Sequence, residues 1–133
     1  LVGIFCLIPF HQSFLDLGSG DGRVSLIASL FVQRAEGIES DAELHAVAEG
    51  MKQKLNVPNA KFHHNDFFMH DVSAYDALFI NPDTHFSRGL EQKLRNEMRG
   101  DLIVLGHHFH PQTLPKKSQI NINGSLFSVY GKS

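Results

Sequence analysis

The stretch Phe14-Leu15-Asp16-Leu17-Gly18-Ser19-Gly20-Asp21-Gly22-Arg23 limits the folds open to this chain more than any other. Phe14 to Leu17 read as a buried strand, and Gly18, Gly20 and Gly22 as the turn that ends it. Val24, Leu26, Ile27, Leu30 and Phe31 then recur at helical spacing, which predicts a helix ending near Gln33. One or two glycines suffice for a strand-to-helix turn. Three alternate ones let the backbone lie close against a ligand, beside the unpaired N–H groups of the helix start. The spacing Asp-x-Gly-x-Gly-x-Gly differs from the dinucleotide fingerprint Gly-x-Gly-x-x-Gly. Asp16 and Asp21 also put negative charge where a pyrophosphate would lie, so a cationic ligand suits this turn.

The rest of the chain alternates strand and helix patterns. Leu1 to Gln12 reads as a short helix or extended segment over one face of the sheet, with Pro9 interrupting any longer helix. Ala35 to Glu39 predicts a second strand. Ser40 and Glu43 form a capping-box pattern, and Leu44, Val47, Ala48, Met51 and Leu55 form the apolar stripe of the helix that follows. Lys61 to Phe67 predicts a third strand with Asp66 near its end, and Phe68 to Tyr75 leaves room for no more than one helical turn. Ala77 to Ile80 and Asp101 to Leu105 are apolar strands, with a helix from Ser87 to Met98 between them. Asn123-Gly124 joins two β-like runs, Gln119 to Ile122 and Ser125 to Tyr130, as a hairpin. The order implies an α/β fold: a Rossmann-like, mostly parallel seven-stranded sheet with a C-terminal antiparallel hairpin and helices on both faces. Residues 1–133 are expected to form a single domain.

Composition narrows the function. The net charge is −2 and no long basic run exists, so backbone-driven nucleic-acid binding is not favoured. Leu1 to Phe10 is apolar but falls short of the roughly 20 residues a bilayer span needs. The lone Cys6 has no internal partner for a disulfide, which predicts a reducing, cytoplasmic setting, and it sits in an apolar run as a core residue. His63 and His64 face opposite sides of a strand, and no cysteine pair accompanies His107, His108 and His110, so no metal is expected.

Ligands of open α/β sheets bind beyond the carboxyl ends of the strands. Asp16, Glu39, Asp66 and Asn81 fall at four successive ends, and Glu39 lies where a ribose-binding acid belongs.

The Asp16 to Gly22 turn resembles motif I of class I S-adenosylmethionine-dependent methyltransferases, whose cofactor carries a sulfonium and an ammonium. The resemblance implies S-adenosyl-L-methionine as cofactor. Gly18, Ser19, Gly20 and Gly22 would border its methionine part, with Asp16 near the ammonium. Glu39 would bond both ribose hydroxyls, Ser40 and Asp41 would border the adenine, Asp66 would accept from the adenine amino group, and the Phe67 N–H would reach a ring nitrogen. Asn81-Pro82-Asp83-Thr84-His85-Phe86 resembles the Asn-Pro-Pro-aromatic motif of methyltransferases acting on amino or amide nitrogens, in which the Asn orients the acceptor. Asp83 stands where the second proline belongs, and it repels phosphate. Asp83 and His85 are the candidates for taking the acceptor's proton. The Leu-Gly-Ser-Gly-Asp-Gly-Arg turn, the near-absent crossover helix after the third strand, and Tyr75-Asp76 before the fourth resemble the ATP-synthase c-subunit type of protein-lysine methyltransferases and their prokaryotic relatives. Methyl transfer to a nitrogen, with protein lysine first, is therefore the expected activity. A nucleic-acid base or a small molecule as acceptor, and an inactive cofactor-binding interaction module, are the alternatives.

Overall fold

The computed structural model describes residues 12–82 and 88–131. The expected N-terminal segment, Asp83 and His85 lie outside the described residues. The elements run β1 (Ser13–Leu17), α1 (Arg23–Ala28), β2 (Arg34–Glu39), α2 (Ala42–Leu55), β3 (Ala60–His64), a 3-10 turn (Phe67–Met69), β4 (Ala77–Ile80), α3 (Arg88–Glu97), β5 (Asp101–Leu105), β6 (Lys116–Ile122) and β7 (Ser125–Gly131). They build one seven-stranded sheet in the order β3-β2-β1-β4-β5-β7-β6. The pairs β1–β2, β1–β4, β2–β3 and β4–β5 are parallel; β7 runs antiparallel to both β5 and β6. This is the expected Rossmann-like arrangement. The hairpin turns on Asn123 and Gly124, both at positive φ, with the Gly124 N–H donating to Asn121 Oδ1 at 2.9 Å.

Alternation along the strands divides the core between two faces. Leu15, Leu17, Ile38, Leu78, Ile80, Leu102 and Val104 pack with Tyr75, Val72 and the buried Leu90, Leu94 and Met98. Phe14, Ala35, Ala77, Phe79 and Ile103 pack on the other face with Ala28 and Val32. Asp76 anchors the start of β1: its Oδ2 accepts the N–H groups of Gln12 (2.8 Å) and Ser13 (3.2 Å).

Four local expectations are corrected. The first helix stops at Ala28 instead of Gln33, because Ser29 Oγ bonds back to the Leu26 carbonyl and Asn59 Nδ2 donates to the carbonyls of Ser29 and Val32. Leu30 and Phe31 are consequently exposed. Helix α2 is capped by Asp41, not Ser40: Asp41 Oδ1 accepts from the N–H groups of Glu43 and Leu44. The apolar stripe of α2 is not core. Only Ala48 is buried, while Leu44, Val47, Met51 and Leu55 are 39–55% exposed. The helix lies mainly over the sheet's edge strand β3, and Ala48 sits close to Gly22 beside the Phe62 ring. Finally, β3 ends at His64, so Asp66 and Phe67 belong to the connection that follows it.

Candidate active site

The glycine turn is pressed onto the end of β2. The N–H groups of Gly18 and Ser19 both donate to the Ile38 carbonyl (2.9 and 3.0 Å), and Gly22 N–H closes on the Ser19 carbonyl at 2.9 Å. Gly18, Gly20 and Gly22 all have positive φ, which L side chains rarely adopt. Gly22 is doubly constrained, since a Cβ there would lie 2.7 Å from the Phe62 ring and 2.8 Å from Ala48 Cβ. The sequence reading missed a fourth essential glycine. A Cβ on Gly37 would meet Ser19 Cβ at 2.5 Å and Ser25 Oγ at 3.0 Å, so the turn can close only over a strand residue without a side chain. A lone glycine inside a strand was the available signal.

Two carboxylates meet at this bend. Asp16 is paired laterally with Gly37 and therefore shares a face with Glu39, two residues on. Glu39 Oε1 accepts the Gly20 N–H at 2.8 Å, and its Oε2 accepts the Asp41 N–H at 3.0 Å. Those bonds fix the carboxylate while each oxygen keeps lone-pair capacity for one more donor. Asp16 is 3% exposed, and among the described residues no hydrogen bond reaches its carboxyl group. Burial first, and then the negative charge of Glu39, push Asp16 from 3.8 up to about 8. A buried acid without a donor, beside a second acid, is a site that gains from a cation. On that face of β2 the residue between the two acids is Gly37, and the Ser19 and Ser25 side chains lie over it.

Ser40 and Asp41 are exposed at the head of α2, and the Ser40 carbonyl lies 3.1 Å from His64 Nε2. The His64 ring stacks on His45 with centroids 5.3 Å apart. Asp66 is exposed and caps the 3-10 turn, Oδ1 accepting from Phe68 N–H at 2.9 Å; Phe67 packs its ring toward the core. Ile80 pairs with Leu17 and Val104, so the exposed Asn81 leaves the sheet level with Gly18 and Leu105. The turn, Glu39, Asp66 and Asn81 thus all occupy the carboxyl edge of the sheet.

The far side of that edge is fastened by residues the sequence reading left unassigned. Glu91 of α3 takes the Gln112 N–H on Oε1 (2.9 Å) and both the N–H and the hydroxyl of Thr113 on Oε2. Burial raises the Glu91 carboxyl, but those bonds outweigh it and hold the group below the usual carboxylate range. His110 has both ring nitrogens engaged, Nε2 by the Gly106 carbonyl (2.8 Å) and Nδ1 by the Tyr130 hydroxyl (2.7 Å). His107 and His108 are exposed beside it.

Residues 16–118 match the family model described as the ANTKMT methyltransferase domain. The chain belongs to this methyltransferase family. It is a class I S-adenosylmethionine-dependent methyltransferase. Among solved structures it is similar to an RNA methyltransferase from Salinibacter ruber in complex with S-adenosyl-L-homocysteine, with 21% identity over 99% of this chain and 90% of that one, at a TM-score of 0.79. It is also similar to the PH0226 protein from Pyrococcus horikoshii (13% identity, 98% and 86% covered, TM-score 0.79). A SAM-dependent methyltransferase from Aquifex aeolicus gives 14% identity, 90% and 80% covered, and a TM-score of 0.72. No curated protein matches the sequence. Among the described residues no helix of this methyltransferase is long and apolar enough to cross a membrane.

Proposed function

We propose that this methyltransferase acts on a nitrogen acceptor, with the side chain of a protein lysine as first choice. The observation that carries the cofactor half of the reading is the buried, donorless Asp16 on the same sheet face as Glu39, whose charge it feels. Asp16 binds the cofactor's ammonium. Glu39 accepts from both ribose hydroxyls, already oriented by Gly20 and Asp41. Gly18, Ser19 and Gly20 flank the methionine part, and Gly22 lets the turn enter α1. Ser40 and Asp41 border the adenine, Asp66 offers Oδ2 to its amino group, and the Phe67 N–H takes a ring nitrogen.

The cofactor supplies a methyl carbon already activated by the sulfonium. The protein therefore has to place the acceptor in line and remove its proton. Asn81, at the sheet edge beside the turn, orients the nitrogen through its side-chain oxygen. Asp83 and His85, three and five residues beyond β4, take the proton. The net charge of −2 and the acid at position 83 favour a protein or small molecule over a nucleic acid. The lone cysteine keeps the reading of a reducing, cytoplasmic setting.

Incubation with radiolabelled S-adenosylmethionine and a cell lysate tests the reading. Label should enter a band removed by protease and resistant to nuclease, and Asn81→Ala should abolish it. A band lost to nuclease moves the acceptor to a nucleic-acid base. Label in no fraction leaves a cofactor-binding module without transferase activity.

A further inference from the structure

The opposite face of β2 carries a second polar cluster, separate from the cofactor bend. Glu36 and His63 point to the face of Ile38, away from Asp16 and Gly37. Glu36 Oε1 lies 2.6 Å from His63 Nε2 and accepts the Tyr75 hydroxyl at 2.8 Å; that hydroxyl lies 2.8 Å from His70 Nε2. The two imidazole rings lie with centroids 4.7 Å apart and planes tilted by 48°. One ligand atom from each of Glu36, His63 and His70 lies within 4.8 Å of both others.

We infer that Glu36, His63 and His70 form a binding site for one divalent ion of the zinc class, with the Tyr75 hydroxyl facing its fourth corner. Two imidazoles and one carboxylate are the donor set of zinc and its borderline neighbours, not of magnesium or calcium. Bond lengths of about 2.0–2.2 Å in a tetrahedron space the ligand atoms about 3.4 Å apart. The His63–Glu36 contact must then open by under ~1 Å, and the wider pairs close. A second shell is in place. Arg34 Nε holds Glu36 Oε2 at 2.7 Å, which leaves Oε1 as a single ligand, and the guanidinium also lies over the Tyr75 ring. Lys93, the other cation near His70, is engaged by Glu97 at 2.7 Å. His63 keeps 22% of its side chain exposed against 7% for Glu36, so an ion has a way in past the imidazole.

The site also has a structural use. The β3-to-β4 connection contains a single 3-10 turn where this fold ordinarily places a covering helix. His70 and Tyr75 come from that connection, and an ion would tie them to β2 and β3. The inference stands apart from the acceptor reading and from catalysis.

Chelator-treated, tag-free protein titrated with Zn²⁺ by calorimetry, and with Co²⁺ by visible absorption, tests it. One ion should bind per chain with the absorption of tetrahedral cobalt, and the melting temperature should rise with Zn²⁺. His63→Gln and His70→Gln, each checked for native circular dichroism, should weaken binding at least ~100-fold, since losing an outer-shell partner alone costs 10–100-fold. A double His107→Ala, His108→Ala variant should bind as the parent does. Absence of binding to the parent chain at micromolar Zn²⁺ overturns the inference without reference to any variant. So does binding that survives in both folded glutamine variants, or that disappears with His107 and His108.

Discussion

If Asp16 pairs with the cofactor's ammonium as proposed, cofactor binding should release a proton, in an amount that follows from the environment of Asp16. With its carboxyl at about 8, roughly nine in ten molecules of the free enzyme carry Asp16 protonated at pH 7. Pairing with an ammonium requires the ionised form, so binding at pH 7 should expel about 0.9 proton from this group. Ionising it first costs about 1.4 kcal/mol at pH 7, the equivalent of one pKa unit. Affinity should therefore climb about eightfold from pH 6 to 7 and only about two- to threefold from 7 to 8, because the cofactor's own α-amino group, near 7.7–8.0, loses half or more of its charge by pH 8. Titration of S-adenosylhomocysteine by calorimetry in two buffers of different ionisation enthalpy reads the proton count directly. Asp16→Asn should remove the released proton and flatten the affinity between pH 6 and 7. The free protein gives an independent reading of the same group. A carboxyl raised in the folded state stabilises fully below its unfolded value near 3.8, and that contribution is lost as pH rises through about 8. Asp16→Asn should thus be relatively more stable than the parent at pH 8 than at pH 4. Proton release near zero at pH 7, with affinity level across pH 6 to 8, would refute both the buried-acid argument and the placement of the ammonium.

Glu39→Ala removes the anchor of the Gly20 N–H and, on the proposed cofactor placement, two charge-assisted bonds to ribose hydroxyls; at about 1.5–3 kcal/mol for each such bond, calorimetric affinity should fall by at least ~10-fold. Gly37→Ala drives a methyl group into Ser19 and Ser25; overpacking of this kind costs about 1–3 kcal/mol, and urea unfolding should show it together with lost cofactor binding. Thr113→Val removes a hydroxyl bond to the Glu91 carboxylate. Glu91 is held below its ordinary value, so its stabilisation is present above pH 4.5 and lost as pH falls through the folded value. The variant should lower stability at pH 7 by about 1–3 kcal/mol and move acid unfolding to higher pH, followed by circular dichroism.

The order of strands, the antiparallel hairpin and the glycine turn were legible because each rests on local chemistry. Ala77 to Ile80 and Asp101 to Leu105 are short apolar runs with sharp borders, and both strands begin and end where the sequence puts them. Asn123-Gly124 supplies the two positive φ angles its turn needs. Helix limits were less legible, since competition decides them: Asn59, far along the chain, takes the carbonyls that would have continued α1. The stripe on α2 misled for a related reason. Periodicity reports that a helix has an apolar side, not how much of it the rest of the molecule covers, and α2 lies mainly over an edge strand. Glu36, His63, His70 and Tyr75 were illegible together because no spacing joins them. Only the register of β2 against β3, and the path of a nearly helix-free connection, brings them to one place.

Strand β2 explains why two acidic centres coexist a few residues apart without interfering. Glu36 and Glu39 are separated by an odd number of positions, so a pleated strand sends them to opposite faces. Glu39 shares its face with Gly37 and Asp16, where the glycine turn closes over Gly37 and a missing donor leaves an acid short of a cation. Glu36 shares its face with Ile38 and is ringed by Arg34, His63 and Tyr75, which hold it below the usual carboxylate range although burial pushes it up. The same residue type is thus driven in opposite directions on the two faces: Asp16 toward its neutral form, Glu36 toward its charged one. Slipping β2 by one residue would exchange the two environments, placing an uncompensated carboxylate in the apolar layer beneath Tyr75 and a bulky Ile38 under the glycine turn. The register that makes the cofactor bend possible is therefore also the one that satisfies the polar cluster behind it, and each centre selects the strand pairing the other requires.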